Sequence, residues 1–540
     1  MSAAGTVYLE TFGCQMNVLD SELVLGELLS EGWRPTDDAT AADLVILNTC
    51  SVRQHAEDKV RSRLGQLRSR HVARRERIIA VIGCMAERDG DGLLARMPQV
   101  DILAGPSELH RVPALVADVL ATRRRAIALS GRLRDWSTGP QTVAAHTDLE
   151  SLDSARHHGL AAASAGGPGR FQAYVRITRG CNKWCTFCVV PMTRGPEVHR
   201  PAEQIIAEVG RLADAGVVEV TLLGQTINHY AHDDGSRTTT FADLLRRVHD
   251  RVPHLPRLRF VTSYPRDFSD DALRAMADCP RICRYLHIPA QSGSDRILRG
   301  MNRGYTVAQY RGLLDRARQI MPDVSISGDI IVGFPGETDE DFAATVELVR
   351  TAGYKNCFIF KYSPRPGTRA DEKLIDDVPE EVKRGRNNEL LAVQSAISLA
   401  ANRGLMDRTV EVLVEGFSKA ARRLQETGNE SPDERAVPAA VEPRGSSTPL
   451  PRRHARQLVG RTPGDQIVVF DGPASLVGRI VPVRVAAVTP FTLHGVVEVV
   501  AMDDVHGGPA AEEWRAAASS AERGQGLALP VIGAAGGGCE

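Results

Sequence analysis

Three cysteines within one nine-residue stretch constrain this chain more than any other feature. Cys181, Cys185 and Cys188 have CX3CX2C spacing inside residues 180–188. Three thiolates this close on one loop can converge on a single metal centre, and soft sulfur ligands select zinc or an iron–sulfur cluster. A structural zinc site takes a fourth Cys or His nearby, and the nearest candidate, His199, lies eleven residues beyond Cys188. The spacing therefore favours an iron–sulfur cluster.

A cubane cluster normally takes four protein thiolates, so a three-cysteine loop leaves one iron open. An open iron can chelate the amino and carboxylate groups of S-adenosylmethionine (SAM). One electron from the cluster then cleaves the sulfonium and releases a 5′-deoxyadenosyl radical. In this respect residues 180–188 resemble the signature of the radical SAM superfamily.

The length and charge of the chain limit what else it can be. With 540 residues it should contain about three domains. The formal net charge of −1 gives no overall attraction to nucleic acid, so any RNA binding must come from local patches. Ten cysteines without a signal peptide indicate a reducing compartment, and no apolar run reaches the length of a membrane span. We therefore expect a cytoplasmic protein with no membrane-spanning segment.

A second set of cysteines follows predicted strands of the N-terminal region. Strand patterns at residues 6–12, 43–48 and 77–82 alternate with helical patterns, which indicates a parallel sheet. Cys14, Cys50 and Cys84 each stand just past the carboxyl end of one of these strands. Open α/β sheets place their ligand sites at that edge. We therefore predict a second cluster with an open iron, the alternatives being inert buried thiols and a zinc site that lacks a visible fourth ligand.

The central region repeats strand and helix patterns six times, which predicts a partial (β/α)6 barrel. The three-cysteine loop follows the first of these strands, at the face where barrel enzymes keep their chemistry. Other strand ends carry polar or glycine-rich turns, where a glycine lets the backbone approach a ligand closely. Singly these are ordinary turn residues, but their recurrence makes five of them candidates for orienting SAM: Gly224, Gln225, Gln291, Ser292 and Glu337.

After a long helical pattern at residues 380–403, short strand patterns predict a small all-β barrel, a type of module that commonly binds oligonucleotides. The polar, Pro-rich residues 425–449 are interpreted as a disordered insertion in it, and the tail as disordered too. The predicted divisions are an N-terminal α/β domain (1–125), a linker (126–169), the partial barrel (170–405), the small barrel (406–503) and the tail (504–540).

Nearly the whole chain resembles the methylthiotransferase family of radical SAM enzymes, whose last module is an RNA-binding TRAM barrel. The residues Gly13-Cys14-Gln15-Met16-Asn17, and residues 185–191 with Thr193-Arg194-Gly195, resemble the branch that makes 2-methylthio-N6-isopentenyladenosine in tRNA. One departure is Thr226-Ile227-Asn228, where family members usually have Asn-Val-Asn.

The resemblance implies methylthiolation at C2 of N6-isopentenyladenosine 37 in tRNA, with two 4Fe-4S clusters and SAM as cofactors. It implies that the cluster on Cys181, Cys185 and Cys188 cleaves SAM and that the resulting radical removes hydrogen from C2. It also implies that a second SAM methylates sulfur held at the Cys14, Cys50 and Cys84 cluster. The implied partners are the tRNA anticodon stem-loop and a low-potential electron donor such as flavodoxin or ferredoxin.

Two other functions remain open at this stage. One is methylthiolation of threonylcarbamoyladenosine in tRNA or of a ribosomal protein, against which the residues after Cys14 argue. The other is a non-catalytic iron–sulfur protein that binds RNA and senses redox state. Such a sensor needs no SAM and leaves the glycine-rich strand ends unexplained, so SAM binding distinguishes the two classes.

Overall fold

The computed structural model describes residues 5–51, 54–73, 77–130, 152–153, 171–427 and 456–497. Most of the predicted linker, residues 428–449 of the predicted insertion and the predicted tail lie outside these ranges. Among the described residues, no helix combines the length and the apolar character needed to cross a bilayer. The described helices and strands form three regions.

The N-terminal region is a six-stranded parallel sheet with helices between its strands. Its strands are Gly5–Thr11 (β1), Trp33–Pro35 (β2), Leu44–Thr49 (β3), Ile78–Gly83 (β4), Ile102–Ala104 (β5) and Ala126–Ala128 (β6). Its helices are Gln15–Ser30 (α1), Gln54–Ala73 (α2), Cys84–Arg96 (α3) and Val112–Thr122 (α4). The order is β2-β1-β3-β4-β5-β6, and the two central strands, β3 and β4, are buried throughout. Strands covered on both faces require such continuous apolar runs.

One sheet strand lies beyond the predicted end of this domain. β6 pairs with β5 in parallel register, so residues 126–128 belong to the sheet and not to the linker that the sequence predicts there. Within the same predicted linker, Leu152 is buried in the N-terminal core and Asp153 forms an ion pair with Arg176. Short strands and single anchored residues carry too few positions to show a period, which is why the pattern concealed them.

The central region is the predicted partial barrel of six parallel strands. Its strands are Gln172–Arg176 (β7), Glu219–Leu223 (β8), Arg257–Phe260 (β9), Tyr285–His287 (β10), Ser325–Val332 (β11) and Asn356–Lys361 (β12). Its longer helices are Ala202–Asp214 (α5), Phe241–Arg251 (α6), Asp270–Asp278 (α7), Val307–Ile320 (α8), Asp339–Ala352 (α9) and Glu380–Arg403 (α10). The two three-stranded sheets, β9-β8-β7 and β10-β11-β12, are connected by a bridge between Leu258 and Ile282.

The C-terminal region is a closed five-stranded barrel. Its strands are Thr409–Phe417 (β13), Gln457–Arg461 (β14), Ile467–Asp471 (β15), Ile480–Val488 (β16) and Leu493–Val497 (β17). Their order around the barrel is β13-β14-β15-β17-β16. A helix, Lys419–Thr427 (α11), follows β13. The predicted disordered insertion begins inside the last turn of this helix, so its first three residues are helical.

The small barrel is fixed to the central barrel at the amino ends of the central strands. Arg257 donates to the Arg461 carbonyl at 3.0 Å, and Arg259 donates to the Pro463 carbonyl at 3.2 Å. Lys355, just before β12, forms an ion pair with Asp465 at 2.7 Å. The opposite, carboxyl ends of the central strands face the N-terminal region, and Leu223 at the end of β8 is buried in the N-terminal core.

Candidate active site between the two cysteine triads

The first triad, Cys181, Cys185 and Cys188, lies on the loop between β7 and a short helix, Val190–Arg194. Two of its thiols are buried and Cys188 is half-buried. Burial raises the pKa of Cys181 to about 12 and the pKa of Cys188 further, and the charge of Cys185 raises both. The Cys188 amide donates to the Cys185 carbonyl at 3.0 Å, so the last two cysteines share one tight turn. A bound iron would supply the positive charge that allows these buried thiols to deprotonate, because metal binding displaces the thiol proton.

The backbone around this triad leaves no room for larger residues. Gly180 has φ +75°, and a Cβ there would lie 1.9 Å from the carbonyl oxygen of Pro196. The Cys181 amide donates to the Gly195 carbonyl at 3.2 Å. The loop therefore closes on the segment after the short helix, and this closure requires a glycine before the first cysteine.

A buried arginine donates a hydrogen bond to the first triad. Arg303 Nη1 lies 3.2 Å from Cys185 Sγ, and Nη2 donates to the Pro289 carbonyl at 3.1 Å. The guanidinium also packs over the rings of Tyr264 and Tyr305, with its Cζ 4.8 and 5.4 Å from the ring centroids. Hydrogen bonds to cluster sulfurs tune the reduction potential of a cluster. Arg303 is thus a functional candidate that sequence reasoning missed, because 118 residues separate it from Cys185.

The second triad forms where three neighbouring strands end. Cys14 follows β1, Cys50 follows β3, and Cys84 follows β4, as the sequence predicts. The Cys50 thiol donates to Cys14, and this hydrogen bond, with help from the nearby Arg194 charge, lowers the pKa of Cys14 to about 6. Burial raises the pKa of Cys84. A Cβ on Gly13, which has φ +121°, would lie 2.3 Å from the Cβ of Cys50, so the first two turns touch only because residue 13 is a glycine.

Asn17 ties the first of these turns to the second. Its Nδ2 donates to the Phe12 carbonyl at 3.1 Å and to the Thr49 carbonyl at 2.8 Å. In return, Asn48 Nδ2 donates to the Asn17 carbonyl at 2.8 Å. An amide side chain has both donors and acceptors, so a single asparagine can hold the Cys14 and Cys50 turns in register.

Arg194 connects the two triads. It follows Cys188 by six residues, and its Nη2 donates to Asp20 at 2.8 Å and to Asn17 Oδ1 at 3.1 Å. The neighbouring Thr193 hydroxyl donates to the Val189 carbonyl at 3.3 Å and lies beside the thiol of Cys84, whose pKa it influences. Both residues are buried. The end of the first triad's loop therefore packs directly on the second triad, and the carboxyl ends of the two sheets face each other there.

Two of the predicted SAM-orienting residues have a buried side-chain oxygen that no described group satisfies. The Oε1 atoms of Gln225 and Gln291 are buried and have no hydrogen-bond partner in the described part of the chain. Gln291 also has φ +72°, an uncommon conformation for a residue with a side chain. Gly224 precedes Gln225, and a Cβ there would lie 2.1 Å from the hydroxyl oxygen of Thr178. Both amides lie at carboxyl ends of central strands, so the site fits a polar ligand beside the first triad.

The remaining two predicted residues are engaged within the protein. The buried hydroxyl of Ser292 accepts from the Ser294 amide at 3.1 Å. One carboxylate oxygen of Glu337 accepts from the Gly333 amide at 2.6 Å and from Arg386 at 2.8 Å. The other oxygen of Glu337 is buried with no partner within the described ranges, and burial raises the pKa of this carboxyl. Ser292 therefore shapes its turn, whereas Glu337 still has one atom available to a ligand.

Family models match three segments of the chain. Residues 6–105 match a model described as uncharacterized protein family UPF0004, residues 175–349 match the radical SAM superfamily, and residues 439–497 match the TRAM domain. These segments fall on the N-terminal sheet, the partial barrel and the small closed barrel.

Among the relatives of this chain, three that match over nearly their whole length share one name, tRNA-2-methylthio-N(6)-dimethylallyladenosine synthase. The protein of Rhodopirellula baltica is 44% identical over 93% of this chain and 97% of its own length. Those of Ralstonia nicotianae and Opitutus terrae are 41% and 38% identical, over 89% and 91% of this chain and 99% and 96% of their own lengths. With identity of this level over nearly the full length, the chain belongs to the tRNA-2-methylthio-N(6)-dimethylallyladenosine synthase family of radical SAM enzymes.

Proposed function

We infer that this chain transfers a methylthio group to C2 of N6-isopentenyladenosine 37 in tRNA, giving 2-methylthio-N6-isopentenyladenosine. Two observations together carry this inference. The chain is 44% identical over 93% of its length to a synthase of that name, and its two cysteine triads lie at one contact between domains. The chain is a radical SAM methylthiotransferase that works with SAM and 4Fe-4S clusters.

We propose that each triad holds one cluster. Cys181, Cys185 and Cys188 supply three thiolates on one loop, and Cys14, Cys50 and Cys84 supply three from successive strand ends. Three thiolates leave one iron of each cubane open. When bound, the loop cluster supplies the electron that cleaves SAM, and the second cluster supplies the position for the sulfur that is transferred.

The protein's own groups position the reactants around these thiols. We propose that Gln225 and Gln291 accept hydrogen bonds from SAM, because their buried oxygens otherwise lack donors. Gly224 allows the backbone at the end of β8 to lie close to that ligand. Ser292 supports the turn after Gln291, and Glu337 presents its second oxygen from the end of β11. Arg194 keeps the second triad against the barrel, so that SAM cleavage and methylthio transfer take place around one substrate base.

The partners follow from the reaction. The TRAM barrel contributes RNA contacts to the anticodon stem-loop, and enzymes that react with a base bind it unstacked. A low-potential donor such as flavodoxin or ferredoxin delivers electrons to the loop cluster, and a tRNA substrate implies a cytoplasmic location. The same reaction on threonylcarbamoyladenosine or on a ribosomal protein is an outcome that the experiment below distinguishes.

The test is nucleoside analysis of tRNA from cells that lack this gene and from cells complemented with it. We expect N6-isopentenyladenosine to accumulate in the deletion and its 2-methylthio form to return on complementation. A Cys185→Ala gene is the matched control and should not restore the product. Persistence of the 2-methylthio nucleoside in a deletion strain that has no second synthase would contradict the proposed substrate, and ribosomal proteins and 2-methylthio-threonylcarbamoyladenosine would be measured next.

A further inference from the structure

Outside both cysteine triads, three side chains that can bind a metal ion meet at the rim of the central barrel. Glu197, His199 and His229 each offer one ligand atom, and these atoms all lie within 4.8 Å of one another. Glu197 Oε1 is 3.5 Å from His199 Nε2, and Glu197 Oε2 is 3.0 Å from His229 Nδ1. We refer to these three residues as the Glu197 cluster.

Two separate segments bring the Glu197 cluster together. His199 belongs to a short strand, Val198–His199, that pairs with Thr178–Arg179, and His229 lies on the turn after β8. Glu197 precedes the short strand, and its side chain is only 2% exposed. The Thr226 hydroxyl donates to Glu197 Oε1 at 2.6 Å. The carboxylate is thus fixed in place, yet its two oxygens retain lone pairs for a further ligand.

His199 has one ring nitrogen held by the backbone and the other facing the Glu197 carboxylate. Its Nδ1 lies 2.6 Å from the Ala231 carbonyl oxygen and 3.1 Å from the Ala231 amide nitrogen. Both contacts of Nδ1 are to Ala231, so Nε2 is the ring nitrogen that is left to face Glu197. That Nε2 is buried, makes no hydrogen bond of ordinary length among the described residues, and has Glu197 Oε1 as a neighbour at 3.5 Å. A metal ion between Nε2 and the carboxylate would take the place of the proton that otherwise joins them, and metal-bound histidines commonly donate their other N–H to a backbone carbonyl.

The donor set indicates which ion fits. Two imidazole nitrogens and one carboxylate oxygen are typical ligands of zinc, with bonds of about 2.0–2.2 Å. We propose that Glu197, His199 and His229 bind one divalent transition-metal ion of the zinc type, with its fourth position left to water. The ion links the turn after β8 to the segment that begins at Gly195, whose carbonyl accepts the Cys181 amide. Its role is to clamp the backbone that carries the loop triad, a property separate from the proposed reaction.

The experiment measures zinc binding to the holoenzyme after both clusters have been reconstituted, so that iron occupies all six cluster cysteines. Zn²⁺ alone is the probe, followed by calorimetry and by metal analysis after gel filtration. The variants are His229→Ala and His199→Gln, with Thr226→Ala to loosen Glu197. His254→Ala is the matched control, because His254 Nε2 pairs with Asp214 at 2.9 Å elsewhere on the surface and its removal also deletes one histidine–carboxylate contact.

We expect one zinc per chain with unchanged iron content and a higher unfolding temperature in its presence. Binding should weaken about 100-fold or more in His229→Ala and His199→Gln and about tenfold in Thr226→Ala, since losing a group that supports a ligand typically costs 10–100-fold. His254→Ala should bind zinc like the parent. The proposal is overturned if the holoenzyme binds no zinc, or if both ligand variants bind it as tightly as the parent, which would leave the Glu197 cluster a simple ion pair. Zinc that binds only as iron is released would also overturn it.

Discussion

The two triads reach a similar donor set by opposite routes. Cys181, Cys185 and Cys188 lie on one loop and owe their proximity to the chain itself, whereas Cys14, Cys50 and Cys84 meet only because β1, β3 and β4 are neighbours in the sheet. Their electrostatics differ as well. Burial raises the pKa of Cys181 and Cys188, while the Cys50 hydrogen bond and Arg194 lower the pKa of Cys14.

This difference separates an autonomous site from a dependent one. The loop triad is supported by its own backbone closure and by Arg303 from the same domain. The second triad depends on sheet topology within its domain and on Arg194 and Thr193, which come from the central barrel. Damage to the contact between the domains should therefore affect the second triad first.

The largest expected effects come from removing one cysteine from each triad. Cys185→Ala should abolish both SAM cleavage and methylthio transfer. Cys50→Ala should abolish the transfer but leave SAM cleavage to 5′-deoxyadenosine, and each variant should lose about half of the bound iron. Iron analysis and mass spectrometry of the products test this. Cys279→Ala, which removes a buried thiol outside both triads, is the control, and loss of SAM cleavage in Cys50→Ala would contradict the separation of roles.

The next largest effect concerns the contact between the triads. Arg194→Gln should lower the free energy of unfolding by about 3 kcal/mol, because it removes one partner of a buried ion pair and leaves Asp20 with the longer 3.5 Å contact to Arg176. The second cluster should be lost before the loop cluster, as measured by thermal unfolding and by spectroscopy of each cluster. Arg194→Lys retains the charge and should cost less. Equal loss of both clusters would argue against a dependent second triad.

A smaller effect is expected on the reduction potential of the cluster held by the loop triad. Arg303→Lys should shift the loop-cluster potential to more negative values, because it weakens the hydrogen bond to Cys185. The shift is about 60 mV for every ~1.4 kcal/mol by which that bond is stronger in the reduced state. A redox titration followed by electron paramagnetic resonance measures it. Arg299→Met, an exposed change nearby, should have no effect, and a shift confined to the second cluster would contradict the assignment of Arg303.

The smallest effect is the pH dependence of thiol alkylation in the iron-free protein. Cys14 is partly accessible and has a pKa of about 6, so it should react with iodoacetamide from about pH 6 upward. Cys181, with a pKa of about 12, should stay unreacted at neutral pH. Peptide mass spectrometry across pH reports both.

The lowered pKa of Cys14 also makes the stability of the iron-free protein depend on pH. Since the folded pKa is below the unfolded one, this thiolate stabilises the fold most above the unfolded value, near pH 9. That contribution is lost as the pH falls through about 6. Cys14→Ser should remove the low-pH reaction and this slope together, and a parent protein in which Cys181 reacts first would reverse the comparison.

Much of this architecture was predictable because it is encoded locally. The period of apolar residues predicted the six central units, and α10 has the predicted bounds of residues 380–403. The loop triad needed only its spacing, and the second triad needed one rule about where parallel strands end. The short strand β6 has three residues, too few to show a period, so the sheet was predicted to end too early.

The side chains around the triads were not predictable in the same way. Arg303 lies 118 residues from Cys185 in sequence, and Arg194 lies 174 residues from Asp20. Nothing in the sequence pairs one buried arginine with one distant partner, because such pairs depend on the packed fold. Similarly, Glu337 was predicted only to orient SAM, whereas the fold also pairs it with Arg386 of α10.

The burial of the second triad has a consequence for how the enzyme is assembled in the cell. Cys50 and Cys84 are buried, and Thr193 and Arg194 of the barrel close over that edge of the N-terminal sheet. If this triad holds a cluster as proposed, we expect a protein that delivers iron–sulfur units to reach Cys50 and Cys84 while the two domains are apart. Maturation of this centre therefore competes in time with the docking of the barrel during synthesis, and its repair after oxidative damage requires the domains to separate again.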